Sequence, residues 1–408
     1  MRYQMLDVEL TAPAPMPALN EVAGLGVIVR RHGVVQAFAM GAINPGETPV
    51  RLLDRLLVGT SETLLSAAVR RQLLPASQPQ PQRTLTVVIC TKDRPDLLKR
   101  CLNSVVAARS SWAEILVVDN ASTTAATLDI VAACGNARYV FESRQGLDFA
   151  RNRALAEATS DWIAYIDDDV VVDRGYFDGL AAAWADHPDA TAVTGLVLPL
   201  ELETEAQIIF EQNGGFGRGF TPRRYGLALT ENSFYPCGSG IFGAGCNMAF
   251  NRGTLLSLGG FDEALDTGAP LPGGGDLDIF YRVVRASQAL IYDPRLAVFH
   301  QHRRELEKLR RQYWSWGLGF MAFVVKSYRT DKEMRKRFRG LVYWWFRYQF
   351  RNLAKALLGR GKMPPRFVAA EIVGGLQGLF GEYDRSRRRT MDYRENRYDR
   401  SALPNHSC

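Results

Sequence analysis

The chain has 408 residues, 47% of them hydrophobic, enough for one large core or two domains, and its six cysteines show no CxxC pair and no regular spacing. This excludes a disulfide-stapled miniature and a structural zinc site, and it fits a reducing cytoplasm. The net charge of +7 is uneven: residues 301–408 carry +15 and the remainder −8, so the tail suits a polyanion or an anionic surface unless it is simply a solvated helical face.

In chain order, the N-terminus lacks the basic-then-apolar pattern of a signal peptide. Residues 1–75 read as a small α+β module without recognisable chemistry: strand-like pieces at 24–33 and 34–41, then one helical pattern over 49–74. A proline- and glutamine-rich linker spans 76–84. Strands at 85–90, 114–119, 137–142 and 162–167 then alternate with helices at 96–108, 124–135 and 147–158. Strands such as LTVVIC are apolar throughout, as parallel strands buried on both faces are. The order predicts an α/β, doubly wound, mostly parallel sheet whose ligands sit at the carboxyl ends of the strands.

Asp119 closes the second of these strands, and Asp167, Asp168 and Asp169 close the fourth. Like charges crowded at a strand end repel, unless a hard divalent cation, Mg2+ or Mn2+, bridges them to phosphate oxygens. Asp167 and Asp169, two apart, are predicted on one side of an extended chain, with Asp168 opposite. Capping the next helix would need only one aspartate.

TVVICTKDRPDLLKRCLNSV, EILVVDNAS, GLDFARNRAL, WIAYIDDDV and GGGDLDIFYRVVRA follow one another in the order found in inverting glycosyltransferases. Over residues 85–305 the chain resembles family 2 of those enzymes, with the nucleotide-sugar-binding A-type (GT-A, Rossmann-like) fold. The resemblance implies that Thr91 and Arg94 line the base pocket and that Asp119 holds the base or ribose. Arg151 faces the nucleotide or its diphosphate, although Asp148, three residues earlier, could instead pair with it on a helix surface. Asp167 and Asp168 are implied donor-binding residues. Asp169 is implied as the metal ligand, with Asp167 and His300 as further ligands. Asp276 matches the general base that takes the acceptor's proton; the position before it, usually acidic in relatives, is Gly275. Asp278, about 200° further round the helix, is the alternative carboxylate. His302 and Arg303 could meet phosphate, and Asn247 could approach the donor sugar. Asp119 in an Asx turn, Asp276 as an N-cap and a strand-end histidine that is merely hydrogen-bonded are the plainer alternatives.

The implied partners are a nucleotide-diphospho-sugar, UDP first among the bases, and a hydroxyl acceptor that is a glycan or lipid-linked. The span 201–240 reads as the acceptor loop region, with Phe216, Phe220 and Tyr225 available to stack on sugars. Residues 306–408 read as basic, aromatic helices suited to an anionic membrane surface, although 313–325 is short of the roughly 20 apolar residues of a bilayer crossing. The end of the chain, from Asp384, reads as disordered or peripheral. A cytoplasmic protein, peripheral on the inner face of the cell membrane, is the expected setting. Two other readings compete. A nucleotidyltransferase should carry a glycine-rich loop after the first strand, which CTKDRPD lacks. A nucleic-acid- or polyanion-binding protein would use the tail but leaves the aspartates unexplained, so no nucleic acid is expected.

Overall fold

In the N-terminal module, β1 (Tyr3–Glu9) pairs parallel with β2 (Gly24–Arg31), which pairs antiparallel with β3 (Val34–Ala42). The sequence reading lacked β1, because YQMLDVE has neither a clean alternation nor a β-branched run; its pairing with β2 makes it a strand. The single helical pattern proves to be two helices, α1 (Pro49–Gly59) and α2 (Ser61–Leu73). They part at Thr60, whose Oγ1 donates to the Leu57 carbonyl at 2.7 Å. Helix α1 buries Leu52, Leu53 and Leu56 against the small sheet. The computed structural model describes residues 2–17, 22–73, 83–226, 232–265, 268 and 271–395; the linker residues 76–82 and residues 396–408 lie outside them.

The large sheet is built from β4 (Leu85–Thr91), β5 (Ala113–Asn120), β6 (Arg138–Glu142), β7 (Trp162–Asp167), β8 (Val170–Val172), β9 (Ala190–Pro199), β10 (Arg223–Tyr225), β11 (Asn247–Asn251) and β12 (Ala289–His300). Between and around them lie α3 (Pro95–Ala108), α4 (Ala126–Cys134), α5 (Leu147–Glu157), α6 (Tyr176–Asp186), α7 (Glu205–Gln212), α8 (Arg252–Ser257) and α9 (Gly275–Arg285). The strand order is β10-β12-β9-β11-β7-β4-β5-β6, with β8 paired to β12 beside that path. Strands β6, β5, β4 and β7 are parallel neighbours. The other half is mixed, because β11 runs antiparallel to both β7 and β9. The parallel-rich sheet expected from the sequence is thus present, with β11, β10 and β8 adding antiparallel pairings. The long irregular segment before β11 lets that strand enter in the reverse direction, which a short helical crossover would not.

Every residue of β4 is buried. Val87 and Ile89 pack with Leu98, Cys101 and Leu102 of α3 on one face, while Val88 and Cys90 meet Ala150 and Ala154 of α5 on the other. Each such Val, Ile or Leu contributes about 1.5–3 kcal/mol relative to exposure. This two-sided packing fixes where β4, β5 and β7 end, and so where Thr91, Asn120 and Asp167 stand.

The C-terminal region folds into α10 (Leu306–Thr330), α11 (Arg335–Leu357), α12 (Pro365–Gln377) and α13 (Tyr383–Glu395). The reading of the chain from Asp384 as disordered or peripheral is corrected over 384–395. Arg329 on α10 pairs with Asp384 at 2.6 Å, Tyr383 donates to Asp262 at 2.9 Å, and Arg389 donates to the Gln145 carbonyl at 2.6 Å. Composition cannot show that these charges meet partners on distant elements. Among the described residues no helix is long and apolar enough to cross a membrane.

Candidate active site

The carboxyl ends of β4 and β5, the end of β7, the end of β12 and the start of α9 surround one cavity of about 1220 Å³. Asp167, the last residue of β7, has a side chain one-third exposed, with Arg151 Nη2 3.7 Å away. The chain then turns through Asp168 and Asp169 before Val170 pairs with His300 on β12. The two-sided arrangement predicted for an extended chain is therefore corrected: the strand stops at Asp167, and the three carboxylates take separate partners.

Asp168, 4% exposed, accepts from Thr91 Oγ1 at 2.8 Å and from Arg94 Nη1 at 3.0 Å. Burial pushes its carboxyl up to about 6, and Arg94 only partly offsets that. Asp169 is equally buried. Burial opposes its charge too, yet His300, Arg303 and Arg94 together hold it well below the usual carboxylate range. Arg94 Nη1 and Arg303 Nη1 lie 3.6 and 3.7 Å from Asp169 Oδ2. In Asp167 burial raises the carboxyl against the pull of Arg151.

Asp169 Oδ1 is buried without a hydrogen bond of ordinary geometry, and His300 Nε2 stands 3.3 Å from it. The cause lies one step back. His302 Nε2 meets a Glu211 oxygen at 2.7 Å, and the two imidazoles face each other Nδ1 to Nδ1 at 2.9 Å. Burial lowers the His302 pKa and keeps that ring neutral. A His302 that donates from Nε2 to Glu211 accepts at Nδ1, so His300 donates from Nδ1 and turns its Nε2 toward Asp169. A cation shared by His300 Nε2 and Asp169 would take the place of a proton there, and Glu211–His302 supplies the outer support that a ligating histidine needs. Among the described residues no group of three His, Cys, Asp or Glu side chains surrounds one point. Asp169 and His300 would leave most of a cation's coordination positions to other groups, as sites that include phosphate oxygens do. His302 itself lies on Glu211, so its expected contact with phosphate is corrected to this supporting place.

Asp119 is 2% exposed and accepts from Tyr139 Oη at 2.9 Å; burial raises its carboxyl. Its neighbour Asn120 lines the cavity instead, donating to the Arg144 carbonyl at 2.7 Å and accepting from Gly146 N–H at 2.8 Å. Asn120 thereby fixes the approach to α5, a part that a strand-end asparagine did not announce in the sequence. Arg151, on α5, is 4% exposed and donates to Asp148 Oδ1 at 3.0 Å. The Asp148 pair therefore forms, but in the interior and not on a helix surface. Burial opposes the guanidinium charge, while Asp148, Asp167 and Asp276 preserve it.

Asp276, at the start of α9, lines the same cavity. Its Oδ2 accepts from Gly245 N–H at 3.1 Å and its Oδ1 from Leu277 N–H at 2.8 Å. Gly274 before it has φ +105°, which favours glycine, and Gly275 stands where a Cβ would come within 1.9 Å of Asp148 Oδ2. Position 275 is a glycine because the Asp148 carboxylate already fills that space.

Two further candidates lie elsewhere. Asp278 is fully buried, bound to Arg282 at 2.7 Å and to Lys326, so it ties α9 to α10. Helical phase turns it away from Asp276's side. Asn247 donates to the Leu196 and Leu296 carbonyls at 3.1 and 2.8 Å, closing the irregular pairing of β9 and β12 rather than nearing a donor sugar.

The sequence reading missed the wall that the C-terminal helices contribute. Trp316 and Phe320 of α10, Trp344 and Trp345 of α11 and Glu371 of α12 all line the cavity. Their signal was present as a mixture of tryptophan with basic residues, but it read as a surface.

Residues 86–255 match the family described as Glycosyl transferase family 2. The chain is 26% identical over 270 residues to a pre-mycofactocin glycosyltransferase of Mycobacterium tuberculosis, covering 66% of this chain and 52% of the relative. It thus spans about half the length of that relative. A glucosyl-dolichyl phosphate glucuronosyltransferase of Haloferax volcanii is 24% identical over 278 residues, 64% of this chain and 84% of that protein. Among solved structures, a mannosyltransferase from Pyrobaculum calidifontis in complex with GDP-Man and Mn2+ gives a TM-score of 0.48 at 15% identity, covering 79% of this chain and 95% of that one. Glucosyl-3-phosphoglycerate synthase from Mycobacterium tuberculosis with Mn2+, UDP and glucosyl-3-phosphoglycerate gives 0.41 at 17% identity, covering 60% and 79%.

Proposed function

We propose that this chain, whose residues 86–255 match the family described as Glycosyl transferase family 2, is a metal-dependent, inverting glycosyltransferase that moves a sugar from a nucleotide-diphospho-sugar to a hydroxyl acceptor. The family match favours this reading over a nucleotidyltransferase. The observation that carries the proposal is one cavity lined both by the carboxylate cluster Asp167–Asp169 at the end of β7 and by Asp276 at the start of α9.

Thr91 and Asn120 mark the nucleotide end, with Asp119 set behind them. Arg94, Arg151 and Arg303 bring three guanidinium groups to the aspartates, where they suit phosphate oxygens. Asp169, with His300 3.3 Å away and Asp167 as the further expected ligand, would hold a divalent cation, Mn2+ or Mg2+, which would supply Lewis-acid neutralisation of the departing diphosphate. Asp276, its two oxygens oriented by the Gly245 and Leu277 amides, takes the proton of the acceptor hydroxyl. The hydroxyl oxygen bonds to the anomeric carbon as the bond from that carbon to the diphosphate breaks, and the electron pair leaves with the nucleoside diphosphate. A single displacement inverts the anomeric centre, so an α-linked donor gives a β-linked product. UDP is our first nucleotide. The basic outer face of α11 brings the enzyme to an anionic membrane from the cytoplasmic side, where a lipid-linked acceptor would be met.

The test is turnover of a sugar-nucleotide panel, with product configuration read by NMR. Asp276→Asn should lose roughly 10²–10⁴-fold in turnover while nucleotide affinity stays put. A retained configuration, or an Asp276→Asn enzyme of normal rate, would remove the mechanism.

A further inference from the structure

The nucleotide end of the cavity is polar. A second part of the lining is aromatic, and it comes largely from the C-terminal helices rather than from the sheet. On α10, Trp316, Gly319 and Phe320 share one face, being three and four residues apart. Gly319 packs directly on the loop that leads into Asp276: a Cβ at Gly274 would lie 2.8 Å from the Gly319 carbonyl oxygen. Trp316 and Phe320 are thereby held within a turn of the contact that positions the proposed base. Three ring pairs make up the wall. Phe320 and Trp345 have ring centroids 6.1 Å apart, Phe216 and Trp316 5.7 Å, and Phe234 and Trp344 5.9 Å. Glu371 of α12 also lines this part of the cavity, next to Gln349 of α11 and near Tyr313 of α10.

We propose that α10, α11 and α12 form the acceptor subsite, in which Trp316, Phe320 and Trp345 receive an apolar body attached to the accepting hydroxyl, so the acceptor is not a bare sugar. This rests on the transferase reading above and narrows its acceptor. Sugars do stack on aromatic rings, and Arg311, Gln312 and Ser315 of α10 line the cavity too, but the aromatic side chains Phe216, Trp316, Phe320, Trp344 and Trp345 offer more apolar surface than one sugar face covers. Burial pushes the Glu371 carboxyl up to about 7, so near neutral pH the aromatic wall is not broken by a full negative charge. The wall also gives the C-terminal helices a place in the site itself, and loss of α10 would remove half of it.

The experiment is calorimetry on the full chain saturated with Mn2+ and whichever nucleoside diphosphate binds. Methyl, phenyl and n-hexyl β-D-glucosides serve as probes. The phenyl or the hexyl glucoside should bind at least about tenfold more tightly than the methyl one, as burial of an apolar aglycone requires. The better of those two tells a ring-bearing acceptor from a chain-bearing one. Trp316→Ala and Trp345→Ala should each remove most of that advantage, Trp316→Phe should keep it, and nucleotide affinity, unchanged in all three, shows that the fold persists. Three glucosides binding alike, with the nucleotide still bound, would overturn the acceptor proposal and leave the transferase reading standing. Failure of every nucleotide to bind would remove the transferase reading and this inference with it.

Discussion

Asp167, Asp168 and Asp169 stand side by side in sequence yet do three different jobs. The cause is the environment of each: Asp167 faces the cavity, Asp168 is bound by Thr91 and Arg94, and Asp169 lies between His300 and Arg303. The His300–His302–Glu211 line gives the residue scale its sharpest prediction. Glu211→Ala removes the acceptor that fixes the His302 tautomer, so Mn2+ affinity, followed by electron paramagnetic resonance, should fall about 10–100-fold. Unchanged Mn2+ affinity would show that Glu211 merely fills space. The strand-end aspartates were legible in the sequence because an apolar run followed by carboxylates is a local pattern. The choice between Asp276 and Asp278, and the reason for Gly275, were not legible. Both depend on contacts from other elements: Lys326 on α10 captures Asp278, and Asp148 on α5 fills the space beside Gly275.

At the scale of elements, α11 has two faces. Phe338, Leu341, Trp345 and Gln349 point inward, while Tyr343, Tyr348 and Phe350 are exposed at 69%, 49% and 52% among Lys336, Arg339, Arg347 and Arg351. The helix carries seven basic residues and no acidic one. Each basic side chain near an anionic surface is worth about 1 kcal/mol, and exposed aromatics add interfacial anchoring. The chain should therefore co-sediment with phosphatidylserine-containing vesicles and be released by salt. The triple change Arg339→Glu, Arg347→Glu and Arg351→Glu should abolish co-sedimentation with nucleotide binding retained. Equal binding to neutral vesicles, or indifference to the triple change, would contradict it. Periodicity made β4 to β7 and α3 to α5 readable from sequence alone. It failed for β1 and α13, whose formation depends on partners far along the chain: β2 for the first, α10 and the Gln145 carbonyl for the second.

At the scale of the whole molecule, the N-terminal module is fastened to the catalytic sheet through a buried charge. Arg30 on β2, 3% exposed, donates to Asp7 on β1 at 2.8 Å and to Asp173, just past β8, at 2.6 Å. Asp173 is itself 5% exposed, so its removal leaves a buried guanidinium with only the half-exposed Asp7. Asp173→Ala should cost about 3–5 kcal/mol, seen as an earlier unfolding transition in calorimetry; an unshifted transition would mean that the module is only loosely attached. The same fastening holds β8, and with it the turn that carries Asp168 and Asp169, so stability and site share one support. The central claim is that this turn binds a cation together with a diphosphate. It is tested most directly by titrating UDP, GDP, dTDP and CDP into the wild type and Asp169→Ala, with and without Mn2+, by calorimetry. The account predicts tight, Mn2+-dependent binding of one nucleotide that the substitution abolishes. Binding that is indifferent to Mn2+ and to Asp169, or no binding at all, would contradict it.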